Sequence, residues 1–502
     1  MKDFLSGFPD WTELGQDSGL DPLGMQRPIE ALFQSLIPGI STITLRFRYY
    51  SFFAWILEAY AKNEGNTDPS AFRVFQRRCE TLFALISCSG EKELGIAGSD
   101  WATIQLRTDA EFIDFANGAD PDADEGQRYL RNKGGAFGGI YSTQMAEMGL
   151  LLLKDPKHQI PVCTSRALPL AETFTDGNGE LPDIFFNAVK NGRISKSELD
   201  RLHPLKPSSI LLGSAEHEHL TKILLGEFED ASTSDVMRRR TMLMLLRLTD
   251  SFGSVPPAEE AKWDWYSTSK KSSPDAETQN LWALYQASDL MRLAYESILH
   301  AALSILRGAP SKRVTLDGIT NQLVEYAQPK ETDWGQYCSD LRAGQGSTHD
   351  SFEKMRDSIK DGSISKQIRS TIVLISSLIE KAQELASPLE TALNAADYFQ
   401  SLRTEVSFLN ERSNLPARDV LYDMISSRIL KRHLWVASRK FRHQKAYTFL
   451  MEPEDGQIRY RNDFTVAPSS PRITQALRFL EDMKLIDEHG LTDYGRAAVN
   501  RS

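Results

Sequence analysis

The feature that most constrains the fold is the spacing of apolar residues, which recur at three- and four-residue steps through most of the chain. This is the period of an amphipathic helix, whereas runs with the two-residue period of a strand are rare. Residues 45–62 and 70–87 show the helical spacing first, and residues 195–306 and 363–411 show it again later. The sequence therefore predicts a mainly α, multi-domain helical protein in which small hairpins supply the β-structure.

The length of 502 residues is too great for one ordinary core and suggests about three domains. A hydrophobic content of 41% argues against extended disorder, so we expect each part to fold. Changes in composition and in apolar spacing along the chain predict four segments. They are an N-terminal helical domain (1–125), a winged-helix-like unit (126–194), a helical bundle region (195–411) with a polar loop near 251–277, and a basic helix with a C-terminal winged-helix-like domain (412–502).

The order helix, strand, turn, strand and helix occurs twice. In the first copy a helix from 141 to 150 precedes short strands at 150–153 and 159–163, and Thr164 opens the next helix. In the second copy a helix at 474–484 precedes the strands, and Thr492 opens the last helix. Threonine is a favourable residue at a helix start. These patterns predict two winged-helix-like units, as an echo of pattern and not a demonstrated repeat.

The sequence between Asp423 and Glu452 has no carboxylate, although the whole chain carries a formal net charge of −10. The basic residues of this segment are Arg428, Lys431, Arg432, Arg439, Lys440, Arg442 and Lys445. Trp435 lies among them, and an aromatic ring between cations is typical of a surface that follows phosphates. DNA is therefore the predicted partner. The alternative is that these arginines only solvate a helix or pair with carboxylates of another domain.

The C-terminal helix adds a second candidate surface. Ser470 is a suitable N-cap and Pro471 a suitable first residue, and Ile473 then starts a buried stripe. The outward residues of this helix are predicted to be Arg472, Gln475 and Arg478. In a helix-turn-helix module such residues enter the major groove. The nearby carboxylates of residues 481 and 482 oppose phosphate contact, and docking to protein is an equal alternative.

Two arginines in the first part of the chain, Arg46 and Arg48, lie among aromatic residues just after the turn Pro38-Gly39. One interpretation is a buried helix whose arginines bond to a neighbouring loop. The other is an anion contact at the start of that helix. Both interpretations stay open at this point.

Motifs for catalysis or metal binding are not found. The glycine-rich stretch at 134–139 lacks the Gly-Lys-Ser/Thr ending of a phosphate-binding loop. His217 and His219 are two residues apart, which on a helix directs them to different sides, so we expect a surface location and no metal. The four cysteines have no paired spacing, which fits a reducing cytoplasm, and no apolar run is long enough for a membrane. No cofactor is predicted.

The segment Leu23-Gly24-Met25, followed by the stretch from Pro38 to Tyr50 and by Trp55, resembles the N-terminal signature of poorly characterised bacterial proteins. In these proteins a Pro-Gly turn and an Arg-x-Arg-Tyr helix open the chain. Proteins of this kind are often found in anti-phage defence or mobile-element gene clusters. The resemblance covers roughly the first sixty residues well. It implies a defence or mobile-element role and no catalytic residues.

Taken together, these observations predict a non-enzymatic, DNA-associated component of a bacterial defence or mobile-element system. One alternative is a scaffold subunit that docks the other proteins of a complex. A nuclease with a degenerate site is a further alternative, because such sites are easily missed in a single sequence.

Overall fold

The computed structural model describes residues 20–63, 65–91, 93–153, 159–175, 179–267, 275–394 and 398–501. The protein is mainly α, with 63% of its residues in helices and 6% in strands. This confirms the fold class that the apolar spacing predicts. The turn predicted between the strands at 150–153 and 159–163 lies outside the described residues, which omit 154–158.

The helices in chain order are α1 (Gln26–Leu36), α2 (Tyr49–Asn63), α3 (Pro69–Cys88), α4 (Ser99–Gln105), α5 (Ala116–Ala119), α6 (Ser142–Glu147), α7 (Leu168–Thr173), α8 (Leu181–Asn191), α9 (Lys196–Arg201), α10 (Ala215–Leu224), α11 (Thr233–Phe252), α12 (Ala258–Ser267), α13 (Ala276–Gly308), α14 (Leu316–Ala327), α15 (Trp334–Arg342), α16 (Thr348–Lys360), α17 (Ile364–Glu384), α18 (Ala386–Ala392), α19 (Leu402–Asn410), α20 (Ala417–Asp423), α21 (Lys431–Gln444), α22 (Ile473–Asp482) and α23 (Asp493–Asn500). Single π-helical turns lie at Phe137–Tyr141 and Met424–Leu430, and short 3-10 turns at His203–Leu205 and Pro207–Ser209.

The strands are short and antiparallel. They are β1 (Phe112–Asp114), β2 (Leu151–Leu152), β3 (Val162–Cys163), β4 (Arg193–Ser195), β5 (Arg313–Val314), β6 (Met451–Glu454), β7 (Gln457–Tyr460), β8 (Ile486–Asp487) and β9 (Gly490–Leu491). They pair as β1 with β4, β2 with β3, β8 with β9, and as one three-stranded sheet in the order β5, β7, β6. The β-structure is therefore limited to local hairpins and small ladders.

Backbone contacts divide the described chain into two compact units. Unit 1 contains residues 35–258 and 472–501, and unit 2 contains residues 20–34 and 259–471. This division differs from the four segments predicted by composition, because residues distant in the chain join the same unit. In particular, the C-terminal helix and hairpin belong with the first half of the sequence.

Unit 1 is built around α2 and α3. The aromatic residues that the sequence concentrates in α2 are buried: the Phe52 ring stacks on Phe83 at a centroid distance of 4.0 Å, and Tyr49 stacks on Tyr141 at 4.7 Å. Asp68 caps α3 through hydrogen bonds from the next helix residues. Large rings bury more apolar area than any other side chains, so this cluster anchors the unit.

Unit 2 is built around the 33-residue helix α13, which packs along α17. The predicted polar loop near 251–277 is wrong in part, because α11 continues to Phe252 and residues 258–267 form α12. Pro257 directly precedes α12, a position where its missing N–H costs nothing, and Trp263 and Trp265 are buried. Residues 268–274 of that predicted loop lie outside the described residues.

The predicted order helix, hairpin, helix occurs at both places, in α6-β2-β3-α7 and α22-β8-β9-α23. The two copies of this order also have matching hydrogen bonds. The Thr164 hydroxyl donates to the Gly149 carbonyl at 2.6 Å, and the Thr492 hydroxyl donates to the Lys484 carbonyl at 2.7 Å. Gly149 and Lys484 both have a left-handed φ, of 73° and 53°. Each hairpin is thus tied to the end of its first helix in the same way.

The second copy has one very close approach, which gives a stability prediction. A Cβ atom at Gly495 would overlap the carbonyl oxygen of Leu485. A backbone oxygen cannot move aside as a flexible side chain can, so we expect Gly495→Ala to lower the free energy of unfolding by about 1–3 kcal/mol. Urea denaturation measures this change.

The matched control is Gly308→Ala at the end of α13, where an added Cβ meets no atom within 4 Å. Alanine is a better helix former than glycine, so this substitution should leave stability unchanged or raise it by less than about 1 kcal/mol. Equal effects of the two substitutions would contradict the packing of Gly495 against the hairpin.

Candidate nucleic-acid interface

The basic segment forms the end of one long helical element. Helix α20, the π turn at Met424–Leu430 and α21 follow one another without a break, and α21 ends where Lys445 adopts a left-handed φ of 58°. His433, Val436 and Ala437 are buried and hold one side of α21 in unit 2. The residues from Phe441 to Lys445 are all exposed, so the end of this helix faces solvent.

His433 fixes the position of α21. Its Nδ1–H donates to the Pro22 carbonyl at 3.1 Å, and its Nε2 accepts the Leu450 N–H at 3.1 Å. Burial lowers the pKa of His433 to about 4, so the ring is neutral at pH 7, as an accepting Nε2 requires. The chain after α21 is thereby joined to the helix, and the segment from Lys445 to Leu450 lies beside its exposed end.

Two cations of the segment lie beside a carboxylate of the protein itself. Arg432 is 7% exposed and contacts the fully buried Glu405 carboxylate at 2.7 Å. Arg428 lies 3.7 Å from the same carboxylate, and its guanidinium lies over the Phe408 ring. The prediction that Arg432 contacts DNA is therefore wrong, because this arginine belongs to a buried ion pair. Arg428 is 30% exposed, but its charge faces the same carboxylate and the Phe408 ring, so we do not count it among the free cations.

The remaining cations lie on the outside. Lys431, Arg439, Arg442 and Lys445 are exposed, and no carboxylate in the described part of the chain forms an ion pair with them. The Arg439 guanidinium lies over the Trp435 ring at 5.1 Å. Lys440 is half-buried. The positive charge of the exposed cations is therefore free to act on a ligand.

Large aromatic rings accompany these cations. Trp435 is 47% exposed, Phe441 is 49% exposed and Tyr447 is 57% exposed. The Phe441 and Tyr447 rings meet edge to face at 6.3 Å, and the Tyr447 hydroxyl donates to Glu452. We define the α21 surface as Lys431, Trp435, Arg439, Phe441, Arg442, Lys445 and Tyr447. It combines rings for stacking with cations for phosphate contact.

The C-terminal helix differs from the prediction at its start. Helix α22 begins at Ile473, and its N-cap is Arg472 with a left-handed φ of 67°, instead of Ser470. The Arg472 guanidinium donates to the Ile40 carbonyl at 2.5 Å, and the Gln475 amide donates to the Thr42 carbonyl at 3.1 Å. The two residues that are predicted to enter a DNA groove therefore bind a turn of the protein itself. The third residue, Arg478, is half-buried.

Arg46 and Arg48 are also internal. Arg46 forms ion pairs with Glu93 at 2.8 Å and Asp482 at 3.1 Å, and Asp482 accepts the Phe47 N–H. Arg48 contacts Glu216 at 2.8 Å through a nearly buried guanidinium. The predicted anion contact is therefore not formed, because protein carboxylates occupy both guanidinium groups. The other interpretation is correct in part: both arginines bond to the protein itself and the aromatic residues of α2 are buried, but the arginines precede this helix, which begins at Tyr49.

The glycine-rich stretch binds a carboxyl group of the protein itself. The buried Glu80 carboxylate accepts the Ala136 N–H at 3.0 Å, the Phe137 N–H at 2.6 Å and the Tyr129 hydroxyl. Burial raises the pKa of Glu80 to about 8, and the N–H donors oppose that rise. Gly135 approaches this carboxylate so closely that a Cβ would overlap it. No external phosphate has room there.

The predicted surface location of the residue 216–219 segment is wrong for its first half. His217 is buried and its Nε2–H donates to the Met483 carbonyl at 2.9 Å, while Glu216 pairs with Arg48. Among the described residues, no group of three or more histidine, cysteine or carboxylate side chains is placed to hold a metal ion. Within the described ranges, no helix has the length and apolarity that a bilayer crossing requires.

Sequence reasoning missed two members of the α21 surface, Phe441 and Tyr447. The available signal was that Phe441 is the last apolar residue of the helix and is flanked on both sides by basic residues, Lys440 and Arg442. Comparisons of the chain with protein-family models, with curated proteins and with solved structures found no match. The chemistry of the site therefore has to come from its own geometry.

Proposed function

We propose that this chain is a non-enzymatic, DNA-associated component of a bacterial defence or mobile-element system, acting in the cytoplasm through the α21 surface. The observation that carries the DNA contact is a set of exposed cations without carboxylate partners in the described chain, interleaved with exposed rings. The defence role rests on the resemblance of the N-terminal segment alone.

The composition of the surface favours single-stranded DNA. Stacking of bases on Trp435, Phe441 and Tyr447 needs unpaired bases, and Lys431, Arg439 and Arg442 then neutralise the backbone. The net charge of −10 keeps polyanions away from most of the protein, so contact is expected to be limited to this positive area. This DNA binding is independent of base sequence, because every sequence has phosphates and bases whose faces can stack on a ring.

The test is a triple substitution of Lys431, Arg439 and Arg442 to glutamate. We expect weaker binding to single-stranded DNA of any sequence, and a salt dependence whose slope falls by about 0.7 for each phosphate that the protein no longer neutralises. Fluorescence anisotropy of a labelled oligonucleotide at several salt concentrations measures both quantities, and a duplex of the same length tests the preference for unpaired bases.

The matched control changes Arg356, Lys360 and Lys366 to glutamate, because these residues belong to the same unit and give the same change of net charge. This control should leave binding nearly unchanged. Equal weakening in both triple variants would mean that overall charge, and not the α21 surface, controls binding. Unchanged binding in the α21 variant would remove the surface from the proposal.

A scaffold role is the second candidate, and the same exposed rings support it. Tryptophan, tyrosine and arginine dominate the binding energy of protein interfaces. Purification of the protein from its host with and without nuclease treatment separates the two roles. Partners that remain after the DNA is digested favour the scaffold, and partners that disappear with the DNA favour the DNA-associated role.

A further inference from the structure

Unit 1 contains an open groove of about 680 Å³ lined by α2, α3 and α8. We propose that this groove binds a nucleoside monophosphate, either free or at the end of a strand. Its size lies within the range of small-ligand sites. Its residues take no part in the α21 surface, so the proposal stands independently of the proposed function.

The floor of the groove is aromatic. Phe75 of α3 and Phe186 of α8 are both half-buried, and their rings lie nearly parallel, at an angle of 13° and a centroid distance of 6.2 Å. The Trp55 ring contacts Phe186 at a centroid distance of 4.7 Å. Aromatic rings that line a groove offer faces on which a flat aromatic ligand, such as a nucleobase, can stack.

Each of the two helices adds a cation one turn after its ring. Arg78 follows Phe75 by three positions on α3, and Lys190 follows Phe186 by four positions on α8, so each cation lies on the same side of its helix as the ring. Both cations lie at the same end of the groove, because Arg78 Nη1 donates to the Lys190 carbonyl at 3.2 Å. The groove therefore has an aromatic end and a cationic end, about one helical turn apart.

The charge of the groove identifies the ligand class. Among the described residues that line it, none is a carboxylate, and the Lys190 ammonium forms no ion pair with a described residue. Through one of its nitrogens Arg78 also bonds the Val189 carbonyl at 3.4 Å, which compensates the negative end of α8. The positive charge of Lys190 is then available to a ligand anion.

The rim supplies groups that recognise a base edge. The amides of Asn63, Asn66 and Asn187 line the groove, and an amide carries both donors and an acceptor. The Asn66 oxygen already accepts the Asp68 N–H at 2.9 Å. A ligand that stacks on the floor, meets these amides and places a phosphate at Arg78 and Lys190 uses every chemical feature of the groove. A purely apolar ligand would leave the Lys190 ammonium without a protein or ligand partner among the described residues.

The test is isothermal titration calorimetry of the full chain with AMP, adenosine, inorganic phosphate and a 5′-phosphorylated trinucleotide. We expect saturable binding of AMP with a Kd below about 1 mM. Adenosine and phosphate should each bind at least about tenfold more weakly, because each lacks one half of the recognition. The trinucleotide is titrated into the variant with Lys431, Arg439 and Arg442 changed to glutamate, so that the α21 surface adds little single-strand binding. In that variant, tighter binding of the trinucleotide than of AMP assigns the groove to a strand end, and the reverse assigns it to the free nucleotide.

The variants are Lys190→Gln and Phe186→Leu, and each should weaken AMP binding about tenfold. The matched controls are Lys366→Gln and Phe252→Leu, which make the same changes at exposed positions elsewhere and should bind AMP as the parent does. The absence of saturable AMP binding overturns the proposal. Binding that both groove variants leave unchanged overturns it as well, because the nucleotide would then lie elsewhere.

Discussion

Replacement of Arg292 by leucine will lower the free energy of unfolding by about 3–5 kcal/mol at neutral or higher pH. The Arg292 guanidinium lies between Asp289 at 2.7 Å and Glu296 at 2.8 Å, and it donates to the Ala467 carbonyl at 2.8 Å. All three charged side chains are buried. Leucine leaves two carboxylates in the core without their cation, and their charged forms then have no compensation.

The loss will depend on pH in a defined direction. Burial already raises the pKa of Glu296 to about 7, so the folded state holds this proton more tightly than the unfolded state does. Such a group stabilises the protein below its ordinary pKa, and that stability is lost as pH rises toward 7. Without Arg292 the pKa rises further, so the deficit of the variant should be greater at pH 8 than at pH 5, as urea denaturation at both values will show.

The control lies on the same helix. Arg307 pairs with Asp463 at 2.7 Å, but both side chains are roughly half exposed. Surface pairs contribute little, so Arg307→Leu should cost less than about 1 kcal/mol at either pH. A loss for Arg292→Leu as small as the loss for Arg307→Leu would show that the buried carboxylates do not depend on the guanidinium.

The second prediction with a large effect on stability compares two arginines of α21. Arg432→Leu should lower the free energy of unfolding by about 3 kcal/mol, because Glu405 is fully buried and the only cation that remains beside it in the described chain is the more distant Arg428. Arg439→Leu, two helical turns later, should leave stability within about 0.5 kcal/mol, because Arg439 is exposed and has no carboxylate partner in the described chain.

DNA binding should show the opposite order. Under conditions where both variants are folded, Arg439→Leu should weaken binding to single-stranded DNA, and Arg432→Leu should leave it unchanged. Urea denaturation and anisotropy on the same samples give both measurements. An Arg432→Leu variant that is fully stable, or that no longer binds DNA while folded, would contradict the division of the segment into a buried pair and an exposed surface.

The local features of this fold could be predicted from the sequence. Apolar spacing located α2 and α3, and the left-handed φ of 81° at Gly39 confirms the Pro-Gly turn. Thr492 caps α23 by accepting the Gly495 N–H, as its position before the helix indicates. These features depend on residues only a few positions apart, and such interactions have recognisable sequence patterns.

The charged sites could be predicted only in part, because their partners are distant in sequence. Nothing near Arg46 indicates Asp482, and nothing near Arg432 indicates Glu405. The segment between Asp423 and Glu452 contains no carboxylate of its own. In the folded protein, however, the Glu405 carboxylate of α19 lies against Arg432 of this segment. The exposed arginines of the basic segment, such as Arg439 and Arg442, remain candidates for DNA contact, because no carboxylate of the described residues forms an ion pair with them.

The ion pair between Arg46 and Asp482 has a consequence for synthesis. Residues 35–258 leave the ribosome before the 213 residues of 259–471, and only afterwards does the segment with Asp482 and Phe479 appear. Until then Arg46 lacks one of its two carboxylates, and the Phe47 ring lacks Phe479, which it contacts at 4.7 Å in the finished fold. The nascent first unit therefore keeps an unfilled apolar face during translation, and its folding is completed after release of a segment encoded more than four hundred codons later.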